Sequence, residues 1–372
     1  SDLTTEHANP VIASSAGFVE PIYLDPTVTY KCVITTSNDV ALPDGTVDPV
    51  SAAFDAEAIG LVIYPRTAAE IAAGVTPTDY GYPAGDVRRY GAALDGTTDD
   101  TTALTNWAAV GGNLVFPVPS TAKITAAIPL VSNTTIDFVK GARIETATTN
   151  ISFLTASSKT NITIRGGHFK QTAAGASAYT AAVKLTSCTE CLVENCDFEG
   201  MQWSGVFLNK SSRCTVRGNY LHAWTGNVND GNGVCVYEDA VSNIVEGNTI
   251  IGAGWHGILI QDPYTSLYPK KNIVTGNRIG AHTAYGIAVY IPGTTDTYNQ
   301  ILNNDVEGIT GAANTSLYGS GIYIVGYGAG GTIVSGNNVR NCCTATTGTT
   351  NGPAGISVGG LYSSGAPVLV TN

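Results

Sequence analysis

Charge is scarce in this sequence. Only 13% of its 372 residues are Asp, Glu, Lys or Arg, and 18 basic residues face 29 acidic ones. A net charge of −11 with no basic stripe argues against nucleic acid as a partner, because phosphate binding needs clustered cations. No apolar run approaches the ~18–20 residues of a membrane span. The opening SDLTTEHANP has neither a basic start nor an apolar stretch, so no signal peptide is visible. HExxH, P-loop and G-x-S-x-G motifs are missing, as is G-x-G-x-x-G in a strand–helix context, and the chemistries they carry go with them. Methionine occurs once against 43 glycines. What remains is rich in Thr, Val, Ile, Asn and Gly, a β composition with many tight turns.

The turns recur. A β-branched stretch leading into Gly-Asn or a variant appears as ITIRGG (162–167), LVEN (192–195), TVRGN (215–219), IVEGN (244–248), IVTGN (273–277), ILNN (301–304) and IVSGN (333–337). A glycine followed by apolar-x-apolar comes after each: GVFL (205–208), GVCV (233–236), GILI (257–260), GIAV (286–289), GIYI (321–324) and GISV (355–358), with VKL (183–185) filling the slot in the first unit. Each unit therefore holds at least two short strands of period 2. An irregular repeat of this length cannot bury its own apolar face and must stack on its neighbours. The expected fold is all-β, a right-handed single-stranded parallel β-helix with like residues above like. Asn195, Asn219, Asn248, Asn277, Asn304 and Asn337 are expected to form a hydrogen-bonded ladder from coil to coil.

Residues 86–116 run from a YGA strand through D-G-x-T-D-D-T and a short helix to G-G-x-L-V-F-P. This resembles the leading segment of the pectate-lyase-like β-helix superfamily. The helix, at about 99–110, would plug the open end of the coil, with Asp99 and Asp100 as its caps. Ahead of it, the strands and turns of 20–50 resemble the small N-terminal β domain of bacteriophage tailspikes and tail fibres. The expected organisation is a β domain over 1–63, a neck over 64–85 and the β-helix over 86–372. The resemblance implies a tailspike-type protein of the virion tail or the extracellular space, homotrimeric, that binds and cuts a surface polysaccharide. Residues 1–63 would contact other tail proteins. No C-terminal trimerisation domain is evident after the last repeat, so assembly would rest on the coils.

Aligning the units on the second-strand glycine places chemistry. Positions +1 and +3 face inward. Positions +2 and +4 face outward and are apolar for a solvent surface, which suggests a subunit contact or a sugar groove. Position +5 reads Lys210, Glu238, Asp262. Two carboxylates one rung apart, ~5 Å, match the separation of a retaining glycosidase pair. Glu238 and Asp262 are the candidate catalytic residues, with the adjacent Asp239 able to replace either. Trp255, His256, Tyr237, Lys210, Trp203, Gln261 and Tyr264 are candidate sugar contacts, the tryptophans as exposed stacking platforms. A lyase of the same fold would instead draw a base and a uronate-neutralising cation from Lys210 or Arg213. A third reading is a non-catalytic glycan-binding spike.

Cys188, Cys191, Cys196 and Cys214 resemble a zinc set, but Cys191 and Cys214 share one register and should stack rather than converge. No metal is expected. NVNDGNG (227–233) lacks the alternating acids and terminal Glu of a calcium loop, so calcium enters only with the lyase reading and no other cofactor is called for.

Overall fold

The computed structural model describes the backbone of residues 29–35 and 41–51. It describes in full residues 63–175, 179–224, 231–252, 254–262, 268–282, 284–292, 296–310, 319–326, 329–342, 355–359 and 368–371. Thr29–Thr35 and Ala41–Ser51 pair antiparallel. The turn expected at Asn38-Asp39 lies outside the described residues.

From Asp95 onward the chain winds through three parallel sheets in turn. The first has ten strands, from Gly112–Phe116 to Leu369–Thr371. The second also has ten, from Asp95–Asp99 to Asn338–Arg340. The third has nine, from Ile128–Pro129 to Ile356–Gly359. Each strand between the ends of its sheet pairs with its counterparts one coil before and one coil after, so the fold is the expected parallel β-helix. Short strands of period 2 send one apolar residue per sheet into the tube. Val216, Val245 and Val274 stack in the first sheet, and Leu221, Ile250 and Ile279 in the second, all at most 1% exposed. Burying each such side chain contributes roughly 1.5–3 kcal/mol.

The Gly-Asn turns behave as expected with one correction. Asn219, Asn248, Asn277, Asn304 and Asn337 form an unbroken ladder in which each Nδ2 donates to the next Oδ1 at 2.9 Å. Asn195 is not part of it. It sits one residue early, at φ +54°, in the left-handed corner that Gly218, Gly247 and Gly276 fill in later coils. In that coil Cys196 holds the ladder position, its amide donating to Asn219 Oδ1 at 2.9 Å. A second ladder, Asn243–Asn272–Asn299, closes the opposite corner with Nδ2-to-Oδ1 bonds of 3.0 and 3.1 Å.

The second-strand glycine is steric. At Gly205, Gly233, Gly257, Gly286 and Gly321 a Cβ would collide with the inward side chain of the following second-sheet strand, such as Leu221 for Gly205 or Ile250 for Gly233. Any larger residue there would push the third sheet off the tube.

One end is plugged by the helix α2 (Thr101–Val110), which buries Leu104, Trp107 and Ala108. Asp100 is the N-cap residue but makes no side-chain capping bond, while Asp99 before it accepts from the Thr101 amide at 3.0 Å. Asp100 instead turns back to accept from the Ala93 and Leu94 amides at 2.6 and 3.2 Å, tying down the approach to the helix. The preceding segment packs through Arg89, which is fully buried. Its guanidinium meets the Glu70 carboxylate of α1 (Ala68–Ala72) at 2.6 Å and the carbonyls of Tyr64, Pro65 and Tyr82.

Two outcomes are expected. Asn248→Ala removes the acceptor of Asn219 and a donor to Val216 and should cost about 3–5 kcal/mol in urea unfolding, since each buried group left unpaired costs about 1–3 kcal/mol. Burial opposes ionisation of Glu70, but the bonds from Arg89, Thr67 and Tyr90 outweigh it and hold the carboxyl at about 2 against an ordinary 4.5. Its contribution is present above pH 4.5 and lost as pH falls through about 2. Acid unfolding of wild type against Glu70→Gln should show that component missing from the variant.

Candidate functional site

Three consecutive third-sheet strands, Ser204–Asn209, Asn232–Tyr237 and His256–Gln261, end in a corner column. The amide of Lys210 donates to Tyr237 O at 3.1 Å, that of Glu238 to Gln261 O at 2.9 Å, and that of Asp262 to Tyr290 O at 3.1 Å. Lys210, Glu238 and Asp262 are thus vertical neighbours, in the order that the repeat alignment gives. Lys210 and Glu238 turn the corner in the left-handed region, at φ +52° and +53°. The Lys210 ammonium meets the Glu238 carboxylate at 2.9 Å. Glu238 keeps 16% of its side chain open to solvent, whereas Asp262 is 1% exposed. Asp239 leaves the column and faces Lys270 of the next coil at 3.6 Å. Gln261 stays on the outer face between Tyr237 and Tyr290. Tyr264 lies outside the described residues, as do residues 227–230 of NVNDGNG.

The outer face of this sheet differs from expectation. Phe207, Cys235, Leu259 and Ala288, the outward residues at +2, are at most 3% exposed. The sheet is covered on its outer side by a layer of aromatic rings. Over the earlier coils, Tyr179 lies 5.3 Å from Trp203, 6.1 Å from Phe207 and 5.6 Å from Tyr237, centroid to centroid. Its hydroxyl is 3.1 Å from that of Tyr237. Trp203 is 6% exposed, so it is not the open platform expected from sequence, and Tyr237, expected as a sugar contact, is 5% exposed. Burial, and then the Tyr179 hydroxyl, push the Tyr237 phenol well up.

Over the later coils the rings form a stack. Trp255, His256, Tyr285 and Tyr323 follow one another at 5.4, 5.6 and 4.4 Å, with interplanar angles of 9, 13 and 9°. Trp255 remains half-buried at the end of the stack. His256 is enclosed, with Nδ1 at 2.8 Å from Asn232 Oδ1. Since that oxygen can only accept, Nδ1 carries the proton and Nε2 is a bare acceptor. The sequence reading missed Tyr179, which no repeat marks. It also missed Lys184, although VKL placed it in register with Phe207.

The first sheet offers a rival depression. A trough of about 570 Å³ runs over Gly218, Gly247 and Gly276 between Glu194, Arg217 and Glu246. Its floor is bare backbone. Arg165 and Arg217 clamp Glu194 from either side at 2.8 and 2.7 Å, and Arg165 also meets Asp137 at 3.6 Å, so those charges are spent on one another. The third-sheet flank therefore holds the candidate site.

The profile of the family described as "Periplasmic copper-binding protein (NosD)" matches residues 120–317, more than half of the chain. The chain belongs to the NosD family. Solved structures similar to this NosD-family chain include a surface adhesin of Streptococcus pneumoniae, PfbA, with 15% identity over 69% of this chain and 72% of that one and a TM-score of 0.58. A hyperthermoactive exopolygalacturonase from Thermotoga maritima has 13% identity over 77% of each chain and a TM-score of 0.53. The A-module of the mannuronan C-5 epimerase AlgE4 from Azotobacter vinelandii has 13% identity over 77% of this chain and 100% of that one, with a TM-score of 0.50. At such identities these show the pectate-lyase-like right-handed β-helix fold alone. A search of curated protein sequences finds no match.

The family description mentions copper, which the described residues of this NosD-family chain do not fit. Among the described residues no three His, Cys, Asp or Glu side chains gather as a metal site. The best soft-ligand set, Cys188, Cys191 and Cys214, is sealed in the core, with each thiol donating to a carbonyl two residues back. The Cys191 thiol is drawn down by Cys188, but Cys214 and burial more than offset this and push it up to about 12. A copper thiolate at Cys191 would have to form against that shift, although Cys191 holds the neighbouring Cys214 thiol below its ordinary value. Cys191 and Cys214 stack in register, as the repeats imply.

Burial, followed by the nearby His282, lowers the His256 imidazole to about 3 from 6.5. Its neutral form stabilises the fold above pH 6.5, and that contribution declines as pH falls towards 3. Nitrogen-15 NMR should find His256 neutral, protonated on Nδ1, at every pH above about 4. A titration midpoint near 6.5 would place the ring in solvent.

Proposed function

We propose that this protein binds an extracellular polysaccharide along the outer flank of the third sheet and cleaves it by carboxylate-catalysed glycoside hydrolysis. The observation that carries the reading is the column of Lys210, Glu238 and Asp262 on successive coils beside a face of aromatic rings. A chain of sugars needs a long surface of repeating chemistry, and a solenoid flank supplies one. Two carboxylates on neighbouring rungs match a retaining arrangement. The Lys210 ammonium suits Glu238 to the anionic role of nucleophile or base, which leaves Asp262 as the acid. In its finer form the reading is a phage tailspike-type depolymerase, homotrimeric, joined to other tail proteins through residues 1–63. The similarity to a polysaccharide-cleaving enzyme and to a surface adhesin supports the glycan theme without choosing between them.

The second reading, a non-catalytic glycan binder, draws on the same corner. Glu238 is already engaged by Lys210, and Asp262 is closed to solvent. Reducing-end release from bacterial capsular and O-antigen polysaccharides separates the two. Cleavage by wild type should fall ~10²–10⁴-fold in Glu238→Gln and in Asp262→Asn, with binding kept. Binding without any release by wild type makes the protein an adhesin. Release of an unsaturated product absorbing in the near ultraviolet makes it a lyase.

A further inference from the structure

The cations of this flank are mostly neutralised. Lys210 is held by Glu238 at 2.9 Å, Arg213 by Glu190 at 3.0 Å and Lys270 by Asp239 at 3.6 Å. Lys210 and Arg213, the cations expected from sequence to meet a uronate, are therefore already paired. Lys184 has no carboxylate among the described residues. It sits on the outer face of Ala181–Thr186, in register with Phe207, and its Nζ donates to the carbonyl of Tyr179 at 2.9 Å. That leaves two of three ammonium protons uncommitted to described groups. The ammonium lies 5.6 Å from the centre of the Phe207 ring.

We propose that the polysaccharide taken by this flank is acidic, and that Lys184, Tyr179 and Asn209 form the subsite for one carboxylate-bearing sugar unit. The inference rests on the glycan reading above and adds the charge of the ligand. Three observations converge on it. Lys184 is half-buried, and desolvation lowers its pKa, a penalty that an arriving carboxylate relieves. Tyr179 keeps 41% of its surface open beside the ammonium it anchors, an aromatic face suited to the apolar side of a pyranose. Asn209 holds a buried amide oxygen with no hydrogen-bond partner. It stands opposite Thr186, one rung over and two residues along from Lys184, ~8 Å by sheet spacing. That oxygen is closed to solvent, so a sugar hydroxyl meets it only once the Asn209 side chain turns outward on binding. The chain's net charge of −11 repels a polyanion, so a preference for one has to come from the local cation at Lys184.

The test uses the full chain over immobilised alginate and acidic capsular polysaccharides, each in native and carboxyl-reduced form, so that backbone is constant and charge is not. Wild type should prefer the native form of at least one polysaccharide by tenfold or more. Lys184→Met, which keeps the apolar stem over Phe207, should lose that preference and bind the native and reduced forms alike. Lys184→Arg should restore most of it. A matching thermal midpoint for the Met variant shows that its fold is intact. Equal wild-type binding to native and reduced forms, or a preference that survives Lys184→Met, overturns the acidic-subsite inference and leaves the glycan reading standing. No binding to any polysaccharide in either form overturns both.

Discussion

Everything in this protein depends on one coil lying in register on the next. A single coil has an apolar interior it cannot close and backbone groups it cannot pair. Stacking supplies both at once, because each strand hydrogen-bonds to the coils on either side and each inward side chain meets its counterpart. The corners are where such a stack is weakest, since the chain must bend there and leave amides and carbonyls exposed. Two asparagine ladders answer that. Asn243 and Asn248 each bind the coil before and the coil after, so the bends are tied as tightly as the strands. The glycines that open the third-sheet strands leave room for the inward side chains of the second sheet.

The same constraint makes the site. Residues separated by 24 to 29 positions become neighbours, and a property placed at one register position becomes a stripe. The third sheet carries an outer stripe of rings and a corner stripe of charge, side by side. Covering the outward residues with Tyr179, Trp203 and Tyr285 gives that sheet a second apolar layer outside the tube. The ring layer is open to solvent at its edges, at Tyr179 and Trp255, rather than over its middle.

The fold was legible because its signals are periodic. Gly-Asn and Gly-apolar-x-apolar repeat often enough to define the coil, and the corner order Lys210, Glu238, Asp262 followed from counting. The ladder was placed one residue wrong at Asn195, because asparagine serves two purposes here. It fills the left-handed corner in some coils and the hydrogen-bonded rung in others, and one sequence slot does not say which. The second ladder was equally visible, as the asparagine before IVEGN, IVTGN and QILNN. The exposure of Trp203, His256 and Tyr237 was not legible. Period 2 says that a side chain leaves the tube, but not whether another ring will cover it. Tyr179 comes from an irregular connection that no repeat anchors.

Amide hydrogen exchange at the corner tests the central claim most directly. If the coils are stacked in register, the amides of Lys210, Glu238 and Asp262 are bonded to Tyr237, Gln261 and Tyr290, and should exchange as slowly as those of Val236 and Ile260 inside the strands. Exchange of the three at the rate of an unstructured turn, with the strands protected, would mean that the column does not exist.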